Sequence, residues 1–291
     1  MRYTIESDVL RVTVDSLGAE LVSAVGEDGF EYIWQADEKY WDGHSPLLFP
    51  VCGQLLGKEY STGGVTYKMG GHGFARDFEF SPTRVEKSEL VLTLKSSEET
   101  RKIYPFDFTL EARFAVSESS LTVDFTVKNE GDVTMPYMLG WHPGFNLDGA
   151  EGAEIGDFKL SFNCSDTVTW YPLQHGCFVR PFGEDYSVPD GEYFLCEDEI
   201  YENDTMIFVG TGERAVLSSE GEGHDVDLTW SKNLPYFCIW KAPDSAARYI
   251  CLEPWSDVPA DGEAPENFDV RKMSRLAAGD SEVYSYGVKF C

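Results

Sequence analysis

The sequence predicts an all-β protein, a single large antiparallel β-sandwich spanning residues 1–291. Three observations carry this expectation. Apolar and polar residues alternate with a period of two in one segment after another, which marks strands with one buried face. No long amphipathic helical stretch interrupts them, and no proline- or glycine-rich linker divides the chain. Turn signals recur often but without the fixed-period repeat of a propeller. At 291 residues the chain can bury a substantial core, with strands long enough to curve around a groove.

In chain order, Leu10, Val12 and Val14 share one face of a first strand, and Asp28-Gly29 marks a tight turn between strands at 21–25 and 31–35. Residues 37–42 suit a short helical turn. Gly63-Gly64 offers the positive φ angles of a two-residue hairpin between 59–62 and 65–68. Leu90, Leu92 and Leu94 form another strand face. The clearest alternation runs from Phe106 through Phe108, Leu110, Ala112 and Phe114 to Val116. It repeats at Leu121, Val123, Phe125 and Val127 after the Glu118-Ser119-Ser120 turn. Further strands are expected at 205–209, 214–218, 225–230, 236–241, 248–252 and 282–290, whereas 149–196 is loop-rich and poorly patterned.

Composition narrows the function classes. A hydrophobic fraction of 42% with 14% aromatic residues is that of a globular protein. With 23 Lys+Arg against 51 Asp+Glu the net charge is −28, which repels nucleic acid and anionic membranes, so neither is an expected partner. The same field should bias histidines towards their protonated form. Seven cysteines with no C-x-x-C pair fit neither a disulfide framework nor a zinc cluster, and read as reduced thiols. The Met1–Glu6 segment has no apolar leader character and no run is long enough to span a membrane, so a cytoplasmic location is expected. There is no nucleophile elbow, phosphate-binding loop or dinucleotide fingerprint. None of the five histidines is paired at metal-ligand spacing, so neither metal nor cofactor is expected.

Two stretches organise the chemistry: Leu139-Gly140-Trp141-His142-Pro143-Gly144-Phe145-Asn146 and Cys251-Leu252-Glu253-Pro254-Trp255-Ser256-Asp257. Each places one titratable side chain at a strand end, before a proline and near a tryptophan. The proline holds His142 and Glu253 in extended backbone. Taken singly, each could be a hydrogen-bonded strand-end residue or a solvated acid. Taken together, one imidazole and one carboxylate beside aromatic faces could protonate one sugar oxygen while deprotonating another.

Three further stretches join them. Gly70-Gly71-His72-Gly73-Phe74-Ala75-Arg76 flanks His72 with glycines that would let backbone approach a ligand, or forms a plain glycine-rich turn. Asp204, at the mouth of the apolar 205–209 strand, could accept from two sugar hydroxyls or cap a turn. Leu48-Phe49-Pro50-Val51-Cys52-Gly53-Gln54 ends an apolar run in a polar amide and equally suits a buried strand end. Of the seven tryptophans, Trp141 and Trp255 adjoin the proposed acid and base, and Trp240 lies nearby in sequence; most indoles are core residues. A glycosidase would pair two carboxylates, and Asp204 with Glu253 could fill those places, but His142 would then have no task.

The set H-G-F-A-R at 72–76, W-H-P-G-F-N at 141–146, N-D-T-M-I-F at 203–208 and E-P-W-S-D-V-P at 253–259 resembles the aldose 1-epimerase (galactose mutarotase-like) family, in particular its LacX-like branch. The resemblance implies an antiparallel β-supersandwich that binds an aldose in an open groove. It implies His142 as general acid and Glu253 as general base, with His72 and Asp204 as sugar-binding positions and Arg76 within the first motif. Relatives of this branch commonly carry arginine where this chain has Gln54. A small-molecule aldose is then the expected partner, and the chain is expected to act as a monomer or homodimer. The candidate cations Arg76, Lys58, Lys68 and Lys241 are scattered along the sequence, and a glutamine amide cannot neutralise phosphate, so a neutral sugar is expected.

Overall fold

The computed structural model describes residues 1–149, 153–174, 178–219, 223–243, 247–260 and 262–291, and in it the alternating segments become two large antiparallel sheets. The middle of the nine-stranded sheet is built from Phe108–Ser117, Ser120–Asn129 and Ser281–Phe290. Burial alternates along these strands as the pattern predicts. Phe108, Leu110, Ala112, Phe114 and Val116 are buried, and the register sets Val116 against Leu121 and Phe114 against Val123. Cross-strand apolar neighbours on one face are what hold such a sheet to its register.

The eight-stranded sheet runs in the order Glu184–Ser187, Thr167–Trp170, Thr205–Val209, Tyr236–Trp240, Tyr249–Trp255, Gly140–Trp141 and Leu47–Leu48, with Gly144–Asn146 also paired to Tyr249–Trp255. The two sheets meet through large rings. Trp141 lies 5.3 Å from Tyr286 and 6.4 Å from Phe125 between ring centroids, and Phe237 stacks on Trp230 at 4.8 Å. A continuous cluster of buried apolar side chains fills the space between them. Each such side chain contributes about 1.5–3 kcal/mol of burial, set against the entropy of ordering the chain.

Residues 37–42 close as the single turn expected, the N–H groups of Tyr40 and Trp41 both donating to Asp37 O. Several other local expectations are corrected. The 31–35 segment makes only isolated bridges, Val25 to Glu31 and Ile33 to Phe145. Phe106 is buried but lies ahead of its strand. Two short helices, Glu98–Ile103 and Glu197–Asn203, escaped the sequence pattern because one or two turns carry no readable periodicity. The first is marked by a capping box between Ser97 and Thr100. The unreadable 149–196 region supplies short strands at one end of each large sheet, Glu192–Phe194 outermost beside Phe158–Phe162 in one and Glu184–Ser187 outermost beside Thr167–Trp170 in the other. The six described cysteines are all free, and no helix among the described residues is long and apolar enough to cross a membrane.

Candidate active site

The Tyr249–Trp255 strand is buried along its whole length. On one side it pairs with Tyr236–Trp240. On the other it meets two short strands, Gly140 pairing with Trp255 and Gly144 with Cys251. Both pairings keep one register, so the intervening His142 falls opposite Glu253. A proline has no N–H for a ladder, and Pro143 and Pro254 sit where this ladder lapses; the N–H of Leu252 reaches Pro143 O at 3.2 Å. Glu253 therefore lies inside a strand that continues to Trp255, not at a strand end as expected. The neighbouring strand is the one that breaks, and the break opens room for His142.

Successive residues of a strand face opposite ways, and this decides the tryptophans. Trp141, beside His142, turns into the core; it is 1% exposed and its Nε1 donates to Ser45 O at 3.0 Å. The expected sugar-seating role of Trp141 is thus corrected to packing between the sheets. Trp255, two residues beyond Glu253, shares the acid's face. Trp41, which sequence reasoning missed, and Trp240 lie 5.0 and 5.5 Å from the His142 ring. Gly144 is the trace of Trp41 in the sequence, because a Cβ there would come within 2.8 Å of the indole.

His72 closes another side, its ring 5.6 Å from His142 and 5.7 Å from Trp255. Its backbone is left-handed (φ +62°) and its Nδ1 accepts from Gly53 N–H at 3.2 Å, which leaves the proton on Nε2 for donation to a ligand. Gly73 serves the chain, since a Cβ on it would stand 2.1 Å from Phe49 O. Asp204 ends the Glu197–Asn203 helix in a left-handed conformation (φ +61°), so it terminates a turn and also faces the site. His72, Asp204, Gln54, Trp255 and Thr205 line a common cavity of about 60 Å³. At roughly 10–15 Å³ per water that is room for only a few waters, so a pyranose would extend over its mouth. Arg76 is not in this lining; it is exposed and donates to Gly71 O at 3.1 Å. A larger concavity of about 600 Å³ beside His224 and Tyr32 contains none of the expected site residues.

Burial dominates the electrostatics. His142 Nε2 and Glu253 Oε2 are 3.3 Å apart, with side chains 10% and 1% exposed. Neither carboxylate oxygen of Glu253, nor Nδ1 of His142, has a hydrogen bond of good geometry among the described residues. Desolvation raises the Glu253 carboxyl well above its ordinary range; the negative charge of Asp204 adds to this and the Trp255 indole N–H opposes it. Desolvation lowers His142 well below the imidazole range, with His72 and Arg76 adding to the effect. His72 falls to about 3, mainly by burial and secondarily through Arg76. The expectation that excess acid would keep these histidines protonated is reversed, because loss of water outweighs a distant field. Burial raises Asp204 also, partly offset by a hydrogen bond from Trp240.

Sequence spacing showed no metal pattern, but the fold brings Cys251 to the same place. Its Sγ, His142 nitrogen and Glu253 oxygen all lie within 4.8 Å of one another.

Residues 1–260 match the family model described as aldose 1-epimerase. The chain is 30% identical to the plasmid-encoded protein LacX of Lactococcus lactis subsp. lactis, covering 99% of each. Among solved structures, it resembles a galactose mutarotase related enzyme from Lactobacillus acidophilus (30% identity, TM-score 0.92, 100% of this chain and 97% of that one). A galactose mutarotase-like protein from Lactobacillus casei is similar over the full length of both chains (28% identity, TM-score 0.91). This chain, with its paired histidine and glutamate facing away from the core of a two-sheet β-sandwich, belongs to the aldose 1-epimerase family of isomerases.

Proposed function

We propose that the protein interconverts the α and β anomers of a neutral aldohexose by acid/base ring opening between His142 and Glu253. The observation that carries this reading is the direct opposition of the two groups, 3.3 Å apart in a nearly dry site. Neutral imidazole with protonated carboxyl, and imidazolium with carboxylate, hold the same number of protons and differ only in where one of them sits. Burial favours the first form, and sugar hydroxyls donating to Glu253 would favour the second. In the second form the Glu253 carboxylate takes the O1 proton, C1=O1 forms as C1–O5 breaks, and His142 delivers its proton to O5. Rotation about C1–C2 and reclosure, with both transfers reversed, give the other anomer and restore the pair. His72 Nε2–H, Asp204 and Gln54 are placed to bond hydroxyls, and Trp255 to cover a ring face.

A neutral sugar suits the cavity better than a hexose 6-phosphate, since the lining carries the Asp204 carboxylate and no lysine or arginine. The test is a panel of freshly dissolved α-aldohexoses and their 6-phosphates, followed by polarimetry or NMR. The expected result is faster anomeric equilibration with a free sugar such as glucose or galactose, little affected by ionic strength. A salt-sensitive preference for glucose 6-phosphate would overturn the neutral-sugar assignment. No acceleration with any sugar would leave a carbohydrate-binding module on the same fold.

A further inference from the structure

The mechanism above makes no use of the buried Cys251 thiol. Cys251 stands two residues before Glu253, so both side chains leave the strand on one face, and the register sets Cys251 against Trp240. The thiol is fully buried in a small cluster with Tyr249, Ala242 and Ala247, against which Trp41 and Trp240 pack. Those two indoles also flank His142. One nitrogen, one sulfur and one oxygen donor, from opposed segments, thus converge within 4.8 Å, with neither Glu253 oxygen in a hydrogen bond of good geometry and the residue 0% exposed. Zinc takes imidazole, thiolate and carboxylate at about 2.0–2.3 Å, so modest side-chain rotation closes the triangle. The donor set is soft enough to disfavour magnesium and calcium.

We propose that His142, Cys251 and Glu253 form a Zn²⁺ site superimposed on the acid/base pair, through which zinc reversibly inhibits the enzyme. Metal binding needs the thiolate and carboxylate, so the protons of Cys251 and Glu253 pass to solvent as the ion enters. The bound ion occupies the lone pairs that proton transfer requires. Inhibition rests on the ring-opening reading above; metal binding does not.

The experiment uses the full chain with Cd²⁺ as a spectroscopic stand-in, followed by its thiolate charge-transfer absorption, and Zn²⁺ as the inhibitor. Wild type should develop the thiolate band at one equivalent and lose activity in parallel, with activity restored by a chelator. Cys251→Ser should lose the band, keep its mutarotation, and need more than about tenfold higher Zn²⁺ for half-inhibition. Cys251→Ala, with circular dichroism as the fold check, repeats the test without a hydroxyl. Glu253→Gln should retain the band but bind Cd²⁺ at least about tenfold more weakly. A band, or a zinc sensitivity as great as that of wild type, that persists in both Cys251 variants would place the metal away from Cys251 and overturn the proposal. A Cys251-dependent band on a chain with no mutarotation would uphold the site while removing the ring-opening reading.

Discussion

The segments Trp141-His142-Pro143 and Glu253-Pro254-Trp255 look like mirror images in sequence, yet their tryptophans have opposite fates. Trp141 is one residue from its titratable neighbour and ends in the core against Tyr286; Trp255 is two residues away and ends in the site against His72. Parity along the strand, not proximity in sequence, separates them. The flanking strands differ in kind as well. Tyr249–Trp255 is continuous and buried throughout, whereas its partner is broken into Gly140–Trp141 and Gly144–Asn146 around His142. The glutamate is held by a rigid element and the histidine by a gap in one.

The comparison breaks if the two titratable groups are not equivalent in catalysis. Glu253→Gln and His142→Asn should each lower kcat by about 10²–10⁴ with smaller changes in sugar affinity, and the double variant should be little worse than either single one. Stopped-flow polarimetry decides this, and equal losses of binding affinity without a kcat effect would remove the pair. The next largest contrast lies between the tryptophans. Trp141→Ala should cost about 3–5 kcal/mol in denaturant unfolding, with KM of the folded fraction retained. Trp255→Phe should raise KM several-fold at a smaller stability cost. The opposite outcome would mean that parity has been misassigned.

The pH dependence sharpens the same comparison. With Glu253 raised and His142 lowered, the singly protonated pair spans a broad plateau. The acid limb then belongs to a second proton on the histidine and the alkaline limb to loss of the proton from the carboxyl. This inverts the order expected for an exposed pair, in which the carboxylate sets the acid limb. The kcat/KM profile measured with His142→Asn should therefore lose its acid limb. Stability follows the same signs. The raised Glu253 stabilises the fold below its unfolded value near 4.5 and loses that contribution as pH rises, so Glu253→Gln should gain in Tm over wild type with increasing pH. His72, at about 3 when folded against 6.5 unfolded, contributes above 6.5 and loses this as pH falls towards 3, so His72→Gln should flatten the acid side of the Tm curve. The smallest effect is expected from Gln54→Arg. A cation at the cavity should raise kcat/KM for a hexose 6-phosphate by a few-fold relative to the free sugar, and salt should erase the gain.

Alternation of apolar side chains by itself determined the sandwich, because a strand with one buried face must repeat every two residues; Phe108 to Val116 and Leu121 to Val127 could be assigned almost to the residue. His142 and Glu253 stood out as candidates because each precedes a proline beside a tryptophan, whereas His72 and Asp204 suited plain turns equally well and were singled out only by the family resemblance. Only the tertiary structure decided which of them meet and in which direction burial shifts their titration. Register between distant strands sets His142 opposite Glu253, and burial, with Trp41 and Trp240 packed beside the ring, lowers the affinity of the histidine for its proton. Trp41 gave no signal in its own segment, because what brings it to the site is His142, about a hundred residues further along the chain; Cys251 lay within a stretch already singled out, but its nearness to His142 depends on the same pairing of distant strands.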